Sequence, residues 1–209
     1  FRMHAQTTLV ERPVMPGVSA RLRRLQACLF FMVCLALPGM LLAETERGAF
    51  NVVSARTEKS EDAYLLNAKL AISLSSGALD ALKNGVPLVI EFHIQVLEIH
   101  VWLWDTVIAE IRRTRQISYH ALSRTYVVRD INTGRQQNFR SLDDALLMAG
   151  VLQDLPVLDY PLPGDNKNYA MRLRGSLDIE SLPTPVRLLA YVSSAWDMDS
   201  KWHKWQLVR

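Results

Sequence analysis

The sequence predicts a mainly β fold: an antiparallel β-sandwich of about seven or eight strands with two short peripheral helices, preceded by an N-terminal signal segment. Three observations point there. Apolar residues recur at every second position in several separate stretches. Most connections between those stretches are short. Only two short segments carry a clear helical pattern, and the chain has no internal repeat. An open α+β sheet with helices on one face satisfies the same pattern and is the alternative.

The elements follow in order. Residues 1–14 begin with Phe and precede Met15, and they read as an over-extended start. From Met15, Arg21, Arg23 and Arg24 form a positive region, followed by the apolar run Ala27–Leu42, with Pro38-Gly39 near its far end and the small Ala43 after it. That order is the pattern of a secretion signal, here residues 15–43. The apolar run also reaches the lower limit of a spanning helix, so a signal anchor is the alternative. Both place residues 44–209 outside the cytoplasmic membrane as a single exported domain, periplasmic in location.

Phe50 to Arg56 is the first strand candidate, closed by the charged turn Glu58 to Asp62. Tyr64, Leu66, Ala68, Leu70, Ile72 and Leu74 alternate with other residues as in a half-buried strand. Ala78 to Asn84 reads as a short helix stopped by Gly85. Leu88, Ile90, Phe92, Ile94 and Val96 mark one face of a long strand from Val86 to His100, and the parity breaks near Leu97 as at a bulge. Val101 to Asp105 reads as a turn or edge packed on the core. Alternation resumes through Val107, Ala109, Ile111, Arg113, Arg115, Ile117 and Tyr119, with arginines in apolar places at its middle. Tyr126 to Ile131 returns, Asn132 to Gly134 turns, and Gln136 to Phe139 adds a short strand. Ser141 caps a second helix with Leu142, Ala145, Leu146 and Ala149 on one side and Gly150 at its end. Residues 153–167, rich in Pro, Asp and Gly, read as a loop. Tyr169 to Ile179 is a further strand, and Val186 to Tyr191 fits helix or strand.

The formal charge of +3 invites a nucleic-acid reading, and the placement of the charges removes it. Residues 1–43 hold five basic residues and one acidic residue. Removing these from the chain's 24 basic and 21 acidic residues leaves 19 and 20 from Glu44 onward, a net of −1. The exported part therefore lacks the basic footprint that nucleic-acid binding requires. Both cysteines, Cys28 and Cys34, lie in the leader, so the exported part has no disulfide, thiolate metal site or cysteine nucleophile.

Several motifs together carry a family resemblance. They are Gly85-Val86-Pro87-Leu88 after the first helix, Tyr119 to Val128 (YHALSRTYVV), Phe139-Arg140-Ser141-Leu142 before the second helix, Leu182 to Arg187 (LPTPVR), and the closing Trp196 to Trp205. Over about residues 48–208 the chain resembles the proteobacterial family called domain of unknown function 4390. The resemblance implies an exported protein, and a membrane sensor kinase of the nitrogen-regulation two-component type as partner. It implies no activity and no catalytic residue.

Each candidate site has a plainer alternative role. His120, Ser123 and Asp130 have triad residue types, but Ser123 lacks the flanking glycines of a nucleophile elbow, and a hairpin role for all three is simpler. His93, His100, His120 and His203 show no metal-ligand spacing, and His93 and His100 have opposite strand parity. Arg112, Arg113, Arg115, Arg124 and Arg129 form the basic concentration of the exported part: either a solvated sheet face or a patch for an anion or an acidic partner. The tryptophans, Trp102 and Trp104 in one group and Trp196, Trp202 and Trp205 in another, read as a plug closing one end of the core, with a sugar or lipid platform as the alternative. The expected function is a non-enzymatic binding or regulatory module without cofactor. The alternatives are a cell-envelope hydrolase working through carboxylates such as Asp178 and Glu180, and a structural envelope protein anchored in the membrane by its leader.

Overall fold

Alternating burial organises both sheets. The computed structural model describes residues 48–100, 102, 104–159 and 167–207. The expected start and signal segment lie outside these residues, as does the end of the expected loop, 160–166. The smaller sheet has three strands, β1 (Ala49–Lys59), β2 (Ala63–Ser73) and β7 (Val151–Asp159), in the order β1-β2-β7. The larger has six: β3 (Leu88–Ile99), β4 (Thr106–His120), β5 (Thr125–Asp130), β6 (Gln136–Phe139), β8 (Asn168–Leu177) and β9 (His203–Gln206). Their order is β6-β5-β4-β3-β8-β9, and every pairing is antiparallel. The two sheets pack as a β-sandwich, so the expected fold class holds.

The core lies between the sheets. Tyr64, Leu66, Ala68, Leu70 and Ile72 of β2 are buried on one side. Leu88, Ile90, Phe92, Ile94 and Val96 of β3, with Met171 and Leu173 of β8, have no exposed surface. Such a face cannot slip by one residue, because the slip would turn every apolar side chain into water. The parity break at Leu97 is real: Val96 pairs with Ala109 and Leu97 with Val107, leaving Ile108 as an extra residue in β4.

Helix α1 (Ser76–Lys83) starts at Ser75, whose hydroxyl accepts from Ala78 N, and buries Ala78 and Leu82. Helix α2 (Leu142–Ala149) starts at Ser141, carries Asp143 and Asp144 in its first turn, and buries Ala145 and Ala149. It packs on β2, β4, β5 and β6. Gly150 then passes so close to β2 that a Cβ there would sit 2.1 Å from Leu70 O. A third helix, α3 (Thr184–Val192), resolves the ambiguous segment: Pro185 near its start has φ suited to a first turn and needs no N–H there.

One expectation fails usefully. Much of the expected loop 153–167 is strand β7, which pairs with β2. Its alternation is hidden by two irregularities in that pairing, one between Tyr64 and Leu65, the other between Leu66 and Ala68. At the second, Asp154 takes a left-handed backbone with φ of 45°. The Asn67 side chain holds it there: Asn67 Oδ1 accepts from Asp154 N at 3.1 Å, and Asn67 Nδ2 donates to Asp154 Oδ1 at 3.4 Å. Pro156 is tolerated because β7 is an edge strand.

The tryptophan plug holds for Trp196 and Trp205 only, since Trp202 packs instead on His93 and under Arg172. Trp196 is buried, and Trp205 packs against the core and donates from Nε1 to Thr57 Oγ1 at 3.0 Å. Trp102 and Trp104 stand 94% and 92% exposed in the β3–β4 connection, so they close no core.

Candidate functional site: an arginine-floored cleft between the sheets

The sandwich is closed on one side and open on the other. On the closed side, β1 lies over β8 and β9. There Gly175 lets the sheets approach, since a Cβ would meet Leu70 and Phe50 side chains. On the open side, bulged β7 faces β4, β5 and the β5–β6 turn across a cleft of about 370 Å³. Bulges often border functional sites because they re-aim the chain away from its partner strand. The volume falls in the range of small-molecule sites.

Strand parity puts arginines on the floor. Arg113 pairs with Phe92 and Arg115 with Ile90, both core residues of β3, so both guanidinium stems start on the inner face. The two arginines then diverge. Arg115 is structural: its Nη1 donates to Met148 O at 2.6 Å and its Nε lies 3.7 Å from Asp130 Oδ2. It thereby satisfies a carbonyl left over in the last turn of α2. Burial lowers the Arg115 pKa from its ordinary value, and the Asp130 carboxylate opposes that shift.

Arg113 has no such ties. Its Nε is buried without a hydrogen-bond partner, and among the described residues no carboxylate pairs with it. Arg135, at the β5–β6 turn, lines the same cleft and has no side-chain partner among those residues. The cleft's two acids are already engaged, Asp130 by Arg115 and Asp154 by Asn67. Two positive charges are therefore left uncompensated. Met148, Val151, Leu155 and Pro156 give the cleft an apolar side, and Gln137 and Gln153 add polar rims.

The five arginines expected as one patch are thus divided by the pleat. Arg112 points to the outer face, where it donates to Glu91 and Glu110. The Glu110 carboxyl is held below its ordinary pKa, chiefly by Arg112 and then by Gln95, while desolvation opposes. His93 Nε2 lies 2.9 Å from the same carboxylate, and Trp202 packs on His93 and under Arg172. Arg129 also faces outward, in a shallow polar depression with His120 and Ser123. Arg124 occupies the β4–β5 turn with φ of 52°.

The imagined triad is separated by the same rule. Asp130 pairs with Arg115 on the inner face, whereas His120, five residues along β4, lies on the outer one. Ser123 Oγ is 2.7 Å from Thr125 Oγ1. Asp178 caps a 3-10 turn by accepting from Glu180 N, and Glu180 accepts from the Tyr191 hydroxyl and lies 3.9 Å from Arg187.

The description "domain of unknown function (DUF4390)" matches residues 48–206. The chain belongs to the DUF4390 family. This DUF4390 domain therefore begins and ends with the sandwich: the match spans β1 to β9 and includes every residue of the cleft. No curated protein and no solved structure matches the chain. Among the described residues no helix is long and apolar enough to cross a membrane, and no group of three or more His, Cys, Asp or Glu is placed to hold a metal ion.

Sequence reasoning found Arg113 and Arg115 but missed Arg135, Asp154 and the roof. The signal for the first two was their place in an apolar alternation. Arg135 carried no such signal, because it precedes β6 and reaches the cleft only through the fold.

Proposed function

We propose that this DUF4390 domain is an exported, non-enzymatic binding module that takes an anionic ligand in the cleft beneath β7 and relays its presence to a membrane sensor of the two-component type. The observation that carries the binding step is Arg113: an inward arginine with a buried, unpartnered Nε and no counter-ion. A guanidinium so placed costs folding free energy unless an anion supplies the missing partner. Its planar fork suits carboxylate or phosphate oxygens. The cleft outranks the outer face because Arg113 Nε is buried there without a partner, where water screens its charge less, whereas Arg112 on the outer face already has its carboxylates. Export rests on the leader, and the sensor partner on what the family resemblance implies.

The test is calorimetric titration of the full chain with inorganic phosphate at low ionic strength. Saturable binding that Arg113→Gln weakens at least about tenfold supports the reading, that factor being 1.4 kcal/mol. Binding that is indifferent to Arg113→Gln and to Arg135→Gln overturns it.

A further inference from the structure

The cleft has two chemically distinct halves. Arg113 and Arg135 supply cationic heads on the β4 and β5–β6 side, and Gln137 stands with them as a neutral donor. Opposite them, Met148 of α2 and Val151, Leu155 and Pro156 of β7 offer apolar surface. Met148 is half-buried and Pro156 exposed, and Leu155, though packed partly against the core, is only half-buried, so apolar surface remains available here. A ligand made only of charged and polar groups would leave it in water. A ligand made only of carbon would leave both guanidinium groups without partners.

We propose that the ligand is an amphipathic anion: one carboxylate or phosphate head held by Arg113 and Arg135, and a short apolar body laid against Met148, Leu155 and Pro156. This rests on the anion-binding reading above and specifies its ligand class. The volume of about 370 Å³ and the open mouth suit a head and a few carbon atoms, with any longer tail continuing outward along β7. An added peptide strand is disfavoured on this edge. The kink at Asp154 breaks the regular row of backbone groups, and Pro156 has no N–H to give.

The experiment titrates the full chain with four probes: inorganic phosphate, hexyl phosphate, hexanoate and hexanol. The structure predicts that one of the two headed tails binds at least about tenfold tighter than inorganic phosphate, since apolar burial adds to the charge contact. Arg113→Gln removes the advantage of the head over hexanol. Met148→Gln removes the advantage of the tail over inorganic phosphate, and Arg129→Gln, on the outer face, changes neither. A phosphate preference or a carboxylate preference between the two tailed probes identifies the head. Equal affinity for inorganic phosphate and hexyl phosphate, both dependent on Arg113, overturns the amphipathic ligand and leaves the anion site standing. No Arg113-dependent binding by any probe overturns both. Melting temperatures of the variants, equal to that of the parent chain, show that a lost affinity is not lost folding.

Discussion

Arg112 and Arg113 are neighbours in the chain and opposites in circumstance. Arg112 lies on the outer face with two carboxylates within hydrogen-bonding reach, and Arg113 lies on the inner face with none. The same contrast separates the two sides of the sandwich. Where β1 covers β8, inward positions hold Phe50, Met171 and Leu173 and the sheets meet. Where β7 covers β4, inward positions hold Arg113 and Arg115 and the sheets part. An alternation that is otherwise apolar has exchanged packing for charge at two adjacent inward positions. One of them, Arg115, recovers its cost by tying α2 to the sheet. The other does not, and an uncompensated cost inside a fold is where function is to be sought.

Mutations can break or sharpen that contrast. The largest effect is expected in the core of central β3, between the two sides. Phe92→Ala, at a site with no exposed surface, should cost about 3–5 kcal/mol in denaturant unfolding. A loss below about 1 kcal/mol would show that the core does not centre on β3. Next comes Arg115→Met, which keeps the stem but removes the guanidinium donor to Met148 O and the charge facing Asp130. A loss of about 1–3 kcal/mol is expected. Stability equal to the parent chain would place Arg115 with Arg113 as a ligand group.

The smallest effect is on the outer face, and it is read from pH. The folded pKa of Glu110 is depressed, so its contribution is present above the unfolded value and is lost as pH falls through the folded one. Glu110→Gln should therefore lower stability slightly at neutral pH and not in acid, which flattens the acid limb of the stability profile. A loss that persists undiminished in acid would mean that Arg112, His93 and Gln95 depend on Glu110 structurally.

Much of the fold was legible because it follows from period-two burial. Leu88 to Val96 identified β3, Ser141 and Gly150 bounded α2, and the fault at Leu97 was visible in the parity. The roof of the site was not. In β7, Asp154 is held in a left-handed conformation by Asn67, 87 residues earlier, and no local pattern announces such a clamp. Pro156 then argues against a strand unless one knows that β7 is an edge. Trp102 and Trp104 misled in the other direction. Aromatic residues usually signal a core, and these two stand in water at a hairpin tip. The arginines were found as a group and had to be divided, since composition counts charges whereas the pleat assigns them to faces.

Arg113, proposed to serve a ligand and not the fold, should contribute nothing favourable to the folding free energy. Denaturant unfolding of Arg113→Leu, without ligand, should give stability equal to the parent chain or higher, because a buried group without a partner is replaced by one that packs. A loss of about 2 kcal/mol or more would instead make Arg113 a structural residue like its neighbour Arg115.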